Sequence, residues 1–206
     1  MTLIAARCRF LLAGAAAVVA TAVLAAPATA SVTAASAGCP DRAVAQPFAP
    51  WSDNADYFLA PDGGFEQGGA GWTLRGPAAV TEGNEPFAVG AASDASALQL
   101  AAGSSATTAP ICIGVEHRSI RFFAKAAAQS TLNVDAVIDG PGGSQRSVRI
   151  ATLNGDDAWA PSDVIPMVVN ELAAEQDNAI DVRLRFSPHG AGSWTIDDVF
   201  VDPKSH

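Results

Sequence analysis

The sequence has few of the residues from which catalytic sites are usually built. Its 206 residues include three histidines, three cysteines and one tyrosine. It contains neither the His-Glu-x-x-His or Cys-x-x-Cys spacing that holds zinc nor a Gly-x-Ser-x-Gly nucleophile elbow. The three histidines also stand apart from any motif that would place a base beside a nucleophile. The sequence therefore predicts a protein that is not an enzyme.

Basic residues are scarce as well, and this shortage argues against nucleic acid as a partner. The chain has 12 lysines and arginines against 21 acidic residues; all the acidic residues and ten of the basic ones follow residue 30, so residues 31–206 carry a formal charge of −11. A surface of that sign repels phosphate backbones. Basic amphipathic helices, which bind anionic lipid, are also missing, so we expect no membrane contact beyond residue 30.

The one long apolar run lies at the N-terminus and has the pattern of a secretory signal peptide over residues 1–30. Arg7 and Arg9 precede an uncharged apolar stretch, and Ala28-Thr29-Ala30 is a small-x-small cleavage site. The alternative, a membrane anchor, fits less well because the run is short and rich in alanine. We predict cleavage after residue 30, an extracellular protein, a flexible leader over 31–45 and one domain over 46–204.

Cys39 and Cys112 are the two cysteines left after the predicted cleavage. In an oxidising compartment an even pair predicts one disulfide. Because it closes a long loop, it is worth about 4 kcal/mol in the chain-entropy model. Its physical role would be to fix the proline-rich N-terminal arm to the body of the domain.

Alternation of apolar and polar residues predicts an all-β fold. Period-two patterns occur at 96–101, 119–126, 131–139, 147–150 and 179–186, separated by turn sequences such as DGPGGS. This pattern is typical of an antiparallel β-sandwich of the jelly-roll type. One exception, PSDVIPMVVNELAAE, predicts a short helix near 163–174 capped by Ser162 or Asp163; a strand over 167–169 is the alternative.

Two stretches indicate a family. Residues 63–74 read GGFEQGGAGWTL, and residues 192–203 read GSWTIDDVFVDP. The pair resembles the CenC-type carbohydrate-binding modules and, more widely, the galactose-binding-like jelly rolls; the domain also resembles small secreted actinobacterial proteins of undefined function. The resemblance implies a jelly roll whose first and last strands lie close together, with Trp72 and Trp194 in the core.

The last of these stretches predicts a β-bulge. Trp194 and Ile196 share one phase of a strand, whereas Val199 and Val201 share the other. All four can point inward only if the phase slips by one residue between the two pairs, at the acidic pair 197–198.

The resemblance further implies that the Gly-Phe-Glu and Ile-Asp-Asp sequences meet and hold a structural calcium ion. Carboxylates and free carbonyls form the oxygen shell that calcium prefers. We therefore predict a calcium site with Glu66 and Asp197 as ligands and Asp198 as a third. The alternative is that the aspartates only cap N–H groups of the bulge.

Sugar binding requires flat aromatic faces surrounded by polar side chains. Trp159 is the best candidate for such a face and Tyr57 the second, whereas Trp51 lies in the proline-rich arm, where covering the sandwich edge is its expected use. An alternating charged face either lines a groove or is merely solvated; it comprises Asp135, Arg149, Asp181, Arg183 and Arg185.

These features together predict a secreted, non-catalytic β-sandwich module that binds carbohydrate or another cell-envelope component. The alternative is a structural or protein-interaction module on the same fold with no sugar site.

Overall fold

A computed structural model describes residues 31–32, 38–127 and 130–203. The predicted signal peptide lies outside these residues. Within them, none of the helices has both the length and the apolar character that crossing a bilayer demands.

Strands make up about half of the described chain. The strands are β1 (Ser31–Val32), β2 (Ala43–Val44), β3 (Phe58–Leu59), β4 (Thr73–Arg75), β5 (Ala78–Glu82), β6 (Ser96–Leu100), β7 (Ser105–Thr107), β8 (Ile111–Gly114), β9 (Ser119–Ala126), β10 (Ser130–Asp139), β11 (Gln145–Asn154), β12 (Ala160–Pro161), β13 (Ile165–Pro166), β14 (Ala179–Gly190) and β15 (Trp194–Asp202). Short 3-10 helices span Ala49–Trp51, Pro141–Gly143 and Asn170–Glu175.

Two antiparallel sheets form a sandwich. The front sheet has the order β11-β10-β14-β7-β4, with β8 also paired to β14. The back sheet has the order β12-β9-β15-β6-β5, with β13 also on β9 and β3 also on β15; β1 pairs with β2 in a separate small sheet. The predicted all-β antiparallel sandwich is confirmed.

Period-two alternation places one face of each long strand in the core between the sheets. On β14, Val182, Leu184 and Phe186 are fully buried in one cluster with inward residues of the back sheet such as Phe122. The rings of Phe122 and Phe186 meet edge to face with centroids 5.3 Å apart. Trp72 and Trp194 belong to the same cluster, so their predicted core positions are confirmed.

The bulge predicted in β15 is present. The pairing of β15 with β9 shifts register between Asp197 and Phe200, and Asp198 has a φ of 49°, in the left-handed region. As a result Ile196 and Val199, which lie on either side of the acidic pair, are both fully buried in the core between the sheets.

The helix predicted near 163–174 begins later than the sequence indicates. Ile165 lies opposite Ile120 of β9, and the Met167 N–H donates to the Arg118 carbonyl at 2.7 Å. These pairings satisfy backbone polar groups at the start of β9 and just before it. The chain becomes helical, in 3-10 form, only from Asn170. Tertiary pairing therefore overrides the helical pattern in the first half of this segment.

The N-terminal arm packs onto the domain from residue 38, earlier than the predicted boundary at 46. Cys39 and Cys112 form the predicted disulfide, with Cα atoms 5.6 Å apart, and Val44 is buried in the core. Further along, Phe48 and Tyr57 join Phe123 and Phe200 in a second apolar cluster. Because Phe123 and Phe200 lie on the face of the back sheet opposite the core, the arm covers that part of the face.

Candidate functional site

The outer face of the front sheet carries an open groove of about 320 Å³. Strand register places Arg185 beside Thr107, and Thr107 beside Thr73. Polar side chains from several strands therefore converge on one surface, with the buried Val137 in the floor. The lining residues are Thr73, Arg75, Ser105, Thr107, Val137, Gln145, Arg183 and Arg185.

A second hollow extends this groove toward one end of the sheet. It has a volume of about 470 Å³ and shares Ser105 and Arg185 with the groove. His189 and Ser187 line its far side. The residues described around the two hollows include no acidic side chain and no Phe, Tyr or Trp. The combined surface, which we call the front groove, presents hydroxyl, amide, imidazole and guanidinium groups.

The charged face that the sequence singled out contributes only part of the front groove. Arg183 and Arg185 line it, whereas Arg149 is paired with Asp135 beside it. Asp181 lies outside its lining and opposite Cys112 in the pairing of β14 with β8. Sequence analysis missed Thr73, Arg75, Ser105, Thr107 and Gln145, because their strands are short or alternate weakly and only strand order brings them to this face.

Trp159 lies at a different place, next to a cavity of about 280 Å³ at the edge of the sandwich. Its neighbours Ala158 and Ala160 line the cavity together with the buried Trp194, whose Nε1 has no hydrogen-bond partner among the described residues. The Trp159 ring itself is half-buried against the second apolar cluster, and the Lys125 ammonium lies 5.1 Å from its centroid. The Lys125 side chain therefore already occupies one face of the Trp159 ring.

Tyr57, the second predicted platform, is buried and offers no face to a ligand. Its side chain is 1% exposed, because the arm folds over the back sheet and presses the ring against Phe48. The hydroxyl donates to Asp53 Oδ2 at 2.8 Å. A stacking role for Tyr57 is therefore wrong; the side chain packs the arm onto the sheet.

The same carboxylate anchors a buried arginine. Arg121 donates from Nη1 to Asp53 Oδ2 at 2.7 Å, and its Nε and Nη2 both donate to the Ser162 carbonyl. Burial raises the pKa of Asp53, but hydrogen bonds from Tyr57 and Arg121 outweigh it, so the pKa lies below its ordinary value of 3.8. This network joins the arm, β9 and the segment after β12.

The two acids of the bulge behave differently from each other. Asp197 accepts the Asp198 N–H at 2.8 Å with Oδ1 and the Glu85 N–H at 3.1 Å with Oδ2. Asp197 therefore caps backbone N–H groups, which is the role that the alternative to calcium binding gives it. In contrast, no hydrogen bond from the described residues reaches the Asp198 carboxylate.

The Asp198 carboxylate faces the Gly-Phe-Glu bend. A Cβ placed on Gly64 would lie 2.9 Å from Asp198 Oδ1, and the Val199 N–H donates to the Gly63 carbonyl at 3.1 Å. Glu66, two residues after Gly64, turns its Oε1 to the N–H groups of Ala95 and Ser96. The two motifs therefore meet in space, although Glu66 already serves as a backbone acceptor.

Burial and crowding raise the pKa values of both aspartates. Burial, with the charge of Asp198 second, raises the pKa of Asp197 to about 8. Burial, followed by the charges of Glu85, Asp94 and Glu66, raises the pKa of Asp198 to about 7. Among residues 38–127 and 130–203, however, no three acidic, histidine or cysteine side chains are already arranged to hold a metal ion.

The two described histidines differ in environment, and His117 has a structural role. It is buried, and its Nδ1 accepts the Gly114 N–H at 2.6 Å while the ring packs edge to face on Phe58. Burial lowers the pKa of His117, and the charge of Glu116 opposes this effect only in part. The lowered pKa favours the neutral ring that this hydrogen bond requires. His189 is exposed at the end of β14.

The sandwich is similar in fold to several solved carbohydrate-binding structures. One is the CBM22-1 xylan-binding domain from Paenibacillus barcinonensis Xyn10C, with 17% identity, a TM-score of 0.47 and coverage of 69% of this chain and 93% of that one. Another is the CBM22-1-GH10 modules of Clostridium thermocellum xylanase 10B complexed with xylohexaose, with 14% identity and a TM-score of 0.46. There the match covers 68% of this chain but only 27% of the xylanase chain.

A third similar structure is TmCBM61 in complex with β-1,4-galactotriose, with 16% identity, a TM-score of 0.42 and coverage of 69% of this chain and 96% of that one. The similarity is one of fold alone. No protein-family model matches the chain, and neither does any curated protein.

Proposed function

We propose that this chain is a secreted, non-catalytic β-sandwich module that binds carbohydrate in the front groove. The observation that carries the proposal is the lining of that groove, in which hydroxyl, amide and guanidinium groups converge around an open hollow of about 320 Å³. Sugars are recognised by such groups because each hydroxyl both donates and accepts hydrogen bonds. The arm covers part of the opposite face of the sandwich, around Phe123 and Phe200, whereas the groove on the front sheet is open.

Export is part of the proposal and has its own support. The N-terminal sequence has the three regions of a signal peptide, and the Cys39–Cys112 disulfide is typical of proteins that fold in an oxidising compartment. A cell-envelope glycan would then be within reach of the module.

A glycan array on residues 31–206 tests the proposal, with Thr107→Val as the site variant. Thr107 lines the groove without a side-chain hydrogen bond to any described residue, so we expect the variant to fold normally. The loss of one hydrogen bond to a sugar hydroxyl should weaken binding about 3–10-fold. Thr81→Val, on β5 of the back sheet, is the matched control and should bind like the wild type.

Other outcomes of the array would contradict the assignment. Silence across all glycans would favour the alternative, a structural or protein-interaction module. Loss of binding in Trp159→Ala with none in Thr107→Val would move the site to the cavity beside Trp159.

We also propose that a calcium ion ties the Gly-Phe-Glu bend to β15, with Asp198 rather than Asp197 as its principal ligand. No described residue donates a hydrogen bond to the buried Asp198 carboxylate, whereas both oxygens of Asp197 accept backbone N–H groups. After burial and Glu85, the nearby acids Asp94 and Glu66 also raise the pKa of Asp198. The Glu85 carboxylate already accepts two backbone N–H groups, so the side chains of Asp94 and Glu66 would move inward to complete the oxygen shell. The role of the ion would be structural.

Thermal melts with calcium or EGTA at pH 8.5 test the calcium proposal. At 100 times its dissociation constant, calcium should add about 2.7 kcal/mol to the free energy of unfolding, which is roughly 5–11 °C in Tm for a domain of this size. The effect should shrink at pH 5.5, below the raised pKa values of Asp197 and Asp198, because protons then compete with the ion. Asp198→Asn should abolish it.

Equal melting curves in calcium and EGTA, together with no calcium in elemental analysis, would reject the ion. The capping role of Asp197 would then be the sole function of the acidic pair.

A further inference from the structure

The front groove concentrates positive charge in a strongly acidic chain. Only ten basic residues follow residue 30, where the formal charge is −11, yet three arginines from two strands line one groove of about 320 Å³. The described lining contains no carboxylate, although Arg183 and Arg185 pair with Asp139 and Asp135 beside the groove. Arg75 has no acidic partner among the described residues. The lining of this groove is therefore positively charged, whereas the net charge of the chain is strongly negative.

The hydrogen-bond partners of these arginines leave most of their donors free. Arg75 is exposed and has no hydrogen bond or ion pair with any described residue. Arg183 uses one nitrogen, Nη1, for Asp139 at 2.6 Å. Arg185 uses Nη2 for Asp135 and Ser147, at 3.3 Å and 2.7 Å, so its Nε and Nη1 are not engaged. Each guanidinium offers five N–H donors, so the groove holds more cationic donors than the protein itself satisfies.

We propose that the front groove binds an acidic glycan, one whose sugars carry carboxylate groups, rather than a neutral one. This inference rests on the proposed function and specifies its ligand class. A guanidinium matches a carboxylate with two parallel hydrogen bonds, and such charge-assisted pairs are about twice as strong as neutral ones. The groove lining includes none of the aromatic rings on which neutral sugars stack, so its strongest available contacts are ionic.

The neutral groups beside the arginines fit the remainder of such a ligand. Thr73, Ser105 and Thr107 supply hydroxyls and Gln145 an amide at the same surface. These groups can bond ring hydroxyls of a uronic acid while the arginines hold its carboxylates. The adjoining hollow around Ser187 and His189 gives the groove the length for more than one sugar residue.

Calorimetric titration of residues 31–206 with an oligogalacturonate, in low salt and without a chelator, tests the inference. The same oligomer with its carboxylates methyl-esterified is the neutral comparison, and it should bind at least 10-fold more weakly. Arg75→Gln should weaken binding of the acid form about 5–10-fold, and 0.2 M salt should weaken it further. Arg146→Gln is the control, because Arg146 is also exposed, has no ion pair with a described residue and lies outside the groove.

Each contrary result has a distinct meaning. Equal binding of the acid and the ester would overturn the preference for acidic glycans and leave carbohydrate binding intact. If Arg75→Gln and Arg146→Gln lose binding equally, and dextran sulfate binds as tightly as the oligogalacturonate, the attraction is non-specific. That result would overturn the proposed preference for acidic glycans. Absence of binding to every acidic and neutral glycan would reject the proposed function and this inference with it.

Discussion

Replacing Arg121 with methionine should lower the free energy of unfolding by about 3–5 kcal/mol, the usual cost of removing one partner of a buried ion pair. Arg121 is 7% exposed, and its three nitrogens all donate to protein acceptors. The variant leaves the Asp53 carboxylate without its cation and the Ser162 carbonyl without two donors. It also removes the guanidinium that lies 4.3 Å from the centroid of the Phe48 ring.

Thermal or urea denaturation measures this loss, which corresponds to roughly 6–20 °C in Tm. Arg118→Met is the matched control: Arg118 precedes the same strand, is exposed and has no ion pair with a described residue, so its loss should cost less than about 0.5 kcal/mol. Arg121→Lys should recover little, because an ammonium cannot serve the Asp53 and Ser162 acceptors in the fork geometry. Equal stability of Arg121→Met and Arg118→Met would show that the network contributes nothing.

Removal of the Cys39–Cys112 disulfide should cost about 4 kcal/mol, or roughly 8–16 °C in Tm. The two cysteines are 73 positions apart, so the open chain gains the freedom of a long loop when it unfolds. In the folded state the bond holds the start of the arm against β8, next to the pairing of β8 with β14. Without it, the arm should detach from the domain more readily than the sheets separate.

Three variants separate the cross-link from the packing of the two residues. Cys39→Ser, Cys112→Ser and the double variant should lose equal stability, because each lacks the same bond. Proteolysis near residue 40 should become faster in all three. Additive losses in the double variant, or a loss under about 1 kcal/mol, would contradict the cross-link as the source of stability.

The short-range features of this fold were predictable because they depend on neighbours in the chain. Alternation over two-residue steps marks β9, β10 and β14, because one face of each strand is apolar and points into the core between the sheets. The bulge in β15 follows from the same rule, since Ile196 and Val199 cannot both be buried without a phase slip. The disulfide needed only a count of two cysteines in an oxidising compartment.

Contacts between distant segments changed one predicted role and one predicted helix start. Tyr57 was expected to be an open aromatic face, but its burial depends on the arm folding over Phe123 and Phe200, which follow it by more than 60 residues. The segment after Pro161 has a helical pattern of apolar residues, yet Ile165 extends along β9 because the pairing there satisfies backbone groups. Neither contact leaves a signal in the local sequence.

Sequence alone determined the all-β class, the strand phases, the bulge and the cross-link, because burial of one face and loop closure act on patterns within a single segment. Only the tertiary structure decided which surface is available for a ligand. Arg75 and Arg185 meet in one groove although 110 positions separate them, since β4, β7 and β14 become neighbours through sheet order. A groove assembled across strands has no period or motif in the chain, because its physical cause is the order in which the strands pair.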